Sequence, residues 1–304
     1  MEATVWVLSW AALTTLFIWL AGRNGRKLLN RRDATSADLD DFLAPIQEDL
    51  DASRRPATHI RFVEMDQDDA TTSKLGGGAY WPKNQSGPVD ETGASLFLLA
   101  QIRLDQVSNQ PEFPSQGLLQ FFIQANKSHG ANDWSSGDMN DWMQQRFFKV
   151  VYWPKLESEF DVIAAREANA LPHAPTKYFR MQFEKSEELV SLDDFRFSKL
   201  YGEQGYWRAM QVFTKARGIS EESLTDLLFQ SDEKDATGHK LGGYPFFVQA
   251  DPRTEEGMEL LFQLNSDETA HIMWGDLGVA NFFISPSDLK RGDFSRVLYN
   301  WDCH

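Results

Sequence analysis

Cysteine is almost missing: the 304 residues hold one, Cys303. No disulfide can form within the chain, a single cysteine argues against a cysteine-based metal site, and a reducing compartment fits. Positive charge is also scarce. Against 45 Asp and Glu there are 30 Lys and Arg, giving a formal net charge of −15. Such a surface repels phosphate backbones, so no nucleic-acid partner is expected. Neither Gly-x-Ser-x-Gly nor a P-loop occurs, and none of the six histidines (His59, His129, His173, His239, His271, His304) sits in a recognisable catalytic motif. Aromatics are plentiful instead, with 10 Trp and 22 Phe, which supplies the apolar area a folded core needs and argues against disorder.

Long uncharged runs are confined to the start. Residues 3–22 carry no charge and are long enough for a helix to span a bilayer, with Trp6 and Trp19 near the ends. Arg23, Arg26, Lys27, Arg31 and Arg32 follow, whereas Glu2 is the only charged side chain before them. This asymmetry predicts a transmembrane helix with its N-terminus outside. The lipid bilayer is then a partner through residues 3–22, and an acidic globular portion lies on the cytoplasmic face of a bacterial inner membrane.

Residues 23–55 read as a basic collar and a membrane-proximal helix. Leu39, Phe42, Leu43, Ile46 and Leu50 recur at helical spacing, Ser36 is a candidate cap, and Pro45 should kink or break the helix. Residues 56–304 then form one domain, opening with a strand at Ile60 and Phe62. Within it a series occurs twice. Lys74-Leu75-Gly76-Gly77 leads to a strand ending in Gln101, then to Gly117 and Phe121-Phe122-Ile123. Lys240-Leu241-Gly242-Gly243 leads to Gln263, then to Gly278 and Phe282-Phe283-Ile284. In both copies the Phe-Phe-Ile triplet begins four residues after its glycine. Order and spacing predict an internal duplication, with repeat-like halves at about 60–128 and 239–304 and an insert between. The expected fold class is α+β: mostly antiparallel sheets packed together, a few peripheral helices and the transmembrane helix. Further strands are expected at 147–152, 178–184 and 294–301. Helices are expected at 133–145, 186–200, 220–229 (capped by Ser220) and from Ser285-Pro286 to Gly292.

These motifs resemble the YwqG-like proteins, a bacterial family. The likeness rests on Lys-Leu-Gly-Gly followed by Trp81-Pro82, Leu99-Ala100-Gln101-Ile102 and Gly117 to Ile123. It continues through Lys240 to Pro245 with Gln249, Leu260 to Leu264, Gly275-Asp276-Leu277-Gly278 to Phe283, Asp288-Leu289 and Trp301-Asp302-Cys303. The resemblance covers about residues 56–304 and implies an α+β fold rich in antiparallel strands. It implies no activity, cofactor or catalytic residue.

The glycine pairs are expected to be tight turns between strands. Gln101 and Gln263 lie at matching places in apolar strands, where a buried amide must find partners in the core or face a ligand. Asp267, Glu268, Asp276 and His271 match no metal-ligand spacing, and Cys303 suits a small buried position. Trp134 and Trp142 either anchor a partner or pack on the body. For a cleft between the repeats the candidate binding residues are Trp81, Gln101, Gln249, Gln263, Trp274 and Asp276; no catalytic residue, metal or cofactor is expected. The expectation is a non-enzymatic protein- or ligand-binding module. The alternative is a hydrolase-like enzyme, which requires a pocket joining Asp276, Gln263 and a histidine near a carboxylate of raised pKa.

Overall fold

A computed structural model describes residues 31–107, 110–131, 138–168, 170–230, 236–253 and 257–304. The chain divides into two compact units, one taking residues up to Asp49 together with Phe197–Asp232, the other Leu50–Arg196 with Glu233–His304.

In the first unit, helix α1 (Ser36–Leu43) is capped by Thr35 rather than by Ser36. The Thr35 hydroxyl accepts from the Asp38 amide while the Asp38 carboxylate accepts from the Thr35 amide, closing a capping box. Pro45 falls in the opening turn of a 3-10 segment (Ala44–Ile46), where its missing N–H is harmless. The chain therefore passes on into α2 (Gln47–Ala52).

The second unit is built on strands. In chain order they are β1 (Arg55–Glu64), β2 (Lys74–Gly76), β3 (Ala79–Pro82), β4 (Phe97–Arg103), β5 (Leu118–Ile123) and β6 (Phe148–Trp153). Then come β7 (Phe160–Ile163), β8 (Tyr178–Glu188), β9 (His239–Gly242), β10 (Glu259–Asn265), β11 (Val279–Ile284) and β12 (Val297–Asp302). Between β5 and β6 lies one turn of helix, α3 (Met139–Trp142), where a longer helix is expected. Residues 186–200 give the end of β8 and a short α4 (Phe195–Lys199). Helices α5 (Gly205–Arg217) and α6 (Glu221–Phe229) belong to the first unit, and Ser220 caps α6. Helix α7 (Pro286–Arg291) starts at Ser285, which accepts from the Asp288 amide.

Ten strands hydrogen-bond in the order β12-β11-β10-β9-β1-β8-β2-β4-β5-β6, and β3 pairs with β7 in a separate ribbon. The sheet curls into a nearly closed barrel. Phe121 of β5 reaches Phe262 of β10 and Phe282 of β11, with ring centroids 4.7 and 4.8 Å apart, and Phe148 of β6 meets Tyr299 of β12 at 5.1 Å. The expected α+β globule of packed sheets with an added transmembrane helix is thereby corrected. The fold is mostly antiparallel sheet with few helices, and one continuous sheet encloses the core because its two ends turn toward each other. Among the described residues no helix is long and apolar enough to cross a membrane; residues 3–22 lie outside them.

The strand order is palindromic about β1 and β8, which pair over their length from Arg55↔Glu188 to Glu64↔Phe179. On either side stand β9 and β2, β10 and β4, β11 and β5, β12 and β6. Both β4 and β10 carry a bulge, between Leu98 and Ala100 and between Leu260 and Phe262. The extra residue turns two neighbours inward at once, so Leu99 with Ala100, and Leu261 with Phe262, all reach the barrel core.

Candidate binding site

The duplicated Lys-Leu-Gly-Gly is a buried ion site. Lys74 and Lys240 are fully buried in β2 and β9. Lys74 donates to Asp68 and, at 2.7 Å, to the Gly78 carbonyl; burial pulls its pKa down, opposed by Asp68. Lys240 donates to both oxygens of Glu188 at 2.9 Å. Glu188 also accepts from the Tyr244 amide at 2.8 Å and lies 3.3 Å from His59 Nε2. Burial alone would raise the Glu188 pKa, but Lys240, His59 and Tyr244 together hold it below the usual value. The second glycine of each motif is required twice over. Gly77 and Gly243 have φ of 75° and 70°, and a Cβ on either would strike the carboxylate of Asp68 or Glu188 that neutralises the lysine. Sequence reasoning treated these motifs as turns and missed the charges. The available signal was the lysine directly before Leu-Gly-Gly in both copies.

The expected candidates separate. Gln101 and Gln263 are fully buried, and each amide holds a loop by two carbonyls: Ala70 and Thr72 for Gln101, Ala236 and Gly238 for Gln263, at 2.8–2.9 Å. Their amides are spent on the core. Gln249, Trp274 and Asp276 gather at the C-terminal tail. Gln249 donates to the Cys303 carbonyl at 2.8 Å, the Asp276 carbonyl accepts from the His304 amide, and Trp274 is buried 6.2 Å from Trp301. Cys303 packs against Gly275. The carboxyl of raised pKa is Asp302, pushed up to about 6 by burial although it accepts from the Val248 and Gln249 amides. Among the described residues its hydrogen-bond donors are those two amides, while Gln263 bonds elsewhere. Asp267 is engaged by His239, Thr269 and the Ala270 amide, and among the described residues no group of three or more His, Cys, Asp or Glu could hold a metal. Trp142 packs onto the sheet, and Trp134 lies outside the described residues.

Trp81 differs from the other candidates by lining a hollow. Strand β3 sets it edge-on against Phe122, with centroids 5.9 Å apart, and its indole N–H donates to the Ser86 carbonyl at 3.1 Å. That bond pins loop 83–96 as one wall. Asp90 stiffens the same loop by accepting from Thr92, Ala94 and Gln124; these bonds, that to Thr92 foremost, hold its pKa below the usual value. The other wall carries Arg146, Lys149 and Val151, and the hollow measures about 560 Å³. A second hollow of about 410 Å³ shares Ser86–Val89 and continues toward Leu98 and Ile163. Arg146 is paired with Asp141 and Glu91, whereas Lys149 has no carboxylate within pairing distance among the described residues. Trp81, the pinned loop with Asp90 and Glu91, and the wall of Arg146, Lys149 and Val151 together line an open hollow.

Comparison with curated proteins gives no match. A family described as a domain of unknown function, DUF1963, has a model matching residues 73–303, a span that takes in both lysine motifs, Trp81 and the barrel strands from β2 to β12. The chain belongs to the DUF1963 family.

Proposed function

We propose that this chain, YwqG-like in its motifs, is a non-enzymatic binding module whose ligand enters the hollow beside Trp81. The observation that carries this is the hollow itself: about 560 Å³, within the range of ligand sites, walled by a loop that Asp90 braces through Thr92 and Ala94. The Glu188 and Asp267 carboxylates support binding over hydrolysis, because each is held by several protein donors.

The test is methyl NMR of the full chain against a library of small fragments and short peptides. Binding at the hollow shifts the Val89 and Val151 methyls and leaves Val297 in the barrel core unmoved. Ligands that bind only elsewhere, or none at all, would overturn the assignment.

A further inference from the structure

The two halves of the barrel build the same polar network and complete it differently. In the first half Gln101 pairs in register with Gln120; in the second Gln263 pairs with Asn281. Gln120 donates to the Tyr80 carbonyl at 3.0 Å, and Asn281 donates to the Phe246 carbonyl at 2.8 Å. Tyr80 and Phe246 are themselves equivalent, each six residues after the lysine of its motif. The next position departs from the symmetry. Leu118 pairs with Trp153 and Val279 with Asp302, so Trp153 and Asp302 stand on the same diagonal from Gln120 and Asn281, on the same face of the sheet. The Trp153 indole N–H donates to Gln120 Oε1 at 2.7 Å. Asn281 Oδ1 is buried and has no donor among the described residues. Asp302, in the tryptophan's place, is 7% exposed and is held on the loop that Asn281 grips: it accepts from the Val248 and Gln249 amides, two and three residues beyond Phe246. A carboxylate there would set a second acceptor beside one that already lacks a donor.

We infer that Asp302 is held as a neutral carboxylic acid whose hydroxyl donates to Asn281 Oδ1, so that a proton does in the second half what the Trp153 indole does in the first. A carboxylic acid can donate once and still accept from the two amides. Burial drives this, because an unpaired ion taken out of water is far less stable than a hydrogen-bonded acid. The facing elements bring no countercharge: residues 246–249 and 278–284 contain none. On its own strand and tail the titratable neighbours are Cys303 and His304; the imidazole favours the ion, and Asp276 meets the tail through its carbonyl, which accepts from the His304 amide. The pair is thus a proton-operated clasp between β12 and loop 246–249. Once the proton leaves, Asn281 Oδ1 faces an anion. Turning the carboxamide over lets Nδ2 donate to the carboxylate and breaks its bond to the Phe246 carbonyl.

The experiment is an NMR titration of the full chain, labelled with 13C and 15N, from about pH 4.5 to about pH 8. The Asp302 carboxyl carbon and the Asn281 carboxamide carbon should titrate with one midpoint, near 6, and the Asn281 side-chain N–H signals should follow it. His304→Gln should leave that titration in place, which separates it from the tail imidazole. Asp302→Asn, whose amide can donate from the same place, should abolish it at Asn281. An Asp302 midpoint at the ordinary aspartate value would overturn the inference. So would an Asn281 signal that ignores the Asp302 midpoint, or one whose titration vanishes in His304→Gln. A midpoint that drops when calcium or magnesium replaces sodium at constant ionic strength would overturn it too, because a cation would then take the proton's place.

Discussion

Lys74 and Lys240 occupy equivalent positions in the barrel, each directly across from the buried glutamine of its own half: Lys74 pairs in register with Gln101, Lys240 with Gln263. Each carries a charge into the sheet, yet their counterions come from different places. Asp68 lies just upstream of Lys74, whereas Glu188 reaches Lys240 from the end of β8.

The Lys240 site should be unforgiving toward loss of one partner. Lys240→Met leaves Glu188 buried with only His59 and the Tyr244 amide, and is expected to cost about 3–5 kcal/mol. Adding Glu188→Gln removes the stranded charge while keeping an acceptor for Tyr244, so the double variant should recover at least half of that loss. Urea unfolding of the singles and the double checks it; simple additivity would refute the coupling.

Asp302 should make the protein less stable as pH rises. Its folded pKa, about 6, lies above the ordinary aspartate value, so between roughly pH 4 and pH 6 the native state holds a proton that the unfolded chain has released. The stabilisation is complete below that window and gone above it, a change of about 2–3 kcal/mol. Asp302→Asn should lack this component. The stability difference between wild type and variant, measured by denaturation at pH 4 and pH 7, should move in the variant's favour at the higher pH.

His173 acts in the opposite sense. Burial pulls its pKa down to about 4, against the Leu98 carbonyl that accepts from Nε2 and with help from nearby His129. Below about pH 6.5 the unfolded chain gains a proton that the native state refuses until about pH 4, so stability falls as pH drops through that interval. Side-chain NMR should find His173 neutral and protonated on Nε2 at pH 5. A titration midpoint near 6.5 would contradict the buried geometry.

Arg253 is fully buried, forked on Asp251 through Nε and a terminal nitrogen at 2.9 and 2.7 Å, and bound to Asp194 at 2.8 Å and the Met258 carbonyl at 3.0 Å. Its guanidinium also lies 4.5 Å from the centre of the Phe283 ring. Lysine keeps the charge but not the planar fork, so Arg253→Lys should destabilise by about 2–4 kcal/mol in thermal unfolding.

Legibility followed the range of the interactions. Strands β4, β5, β10 and β11 were readable because both of their faces are buried, which writes unbroken apolar runs into the chain. Ser220 and Ser285-Pro286 were readable because a cap acts within three residues. Helix α5 was not. It buries only Tyr206, Met210 and Thr214 and leaves Trp207 and Val212 exposed, which blurs the helical period. Strand β7 is four residues long and takes its identity from pairing with β3. At the candidate site Trp81 was legible beside its proline, but Arg146 and Lys149 were not, since nothing local marks a charge that faces a hollow.

By itself the sequence determined the duplicated turns, strands and caps, because glycine conformations, apolar runs and cap hydrogen bonds are satisfied by neighbours along the chain. Only the tertiary structure decided that ten strands close round one core, that Glu188 neutralises Lys240, and that α3 packs on the outer cluster of one half while Trp81, Val151, Trp153 and Ile163 pack on that of the other. Those outcomes depend on surfaces far apart in sequence meeting away from water, and a strand's own residues do not encode which surface it will meet.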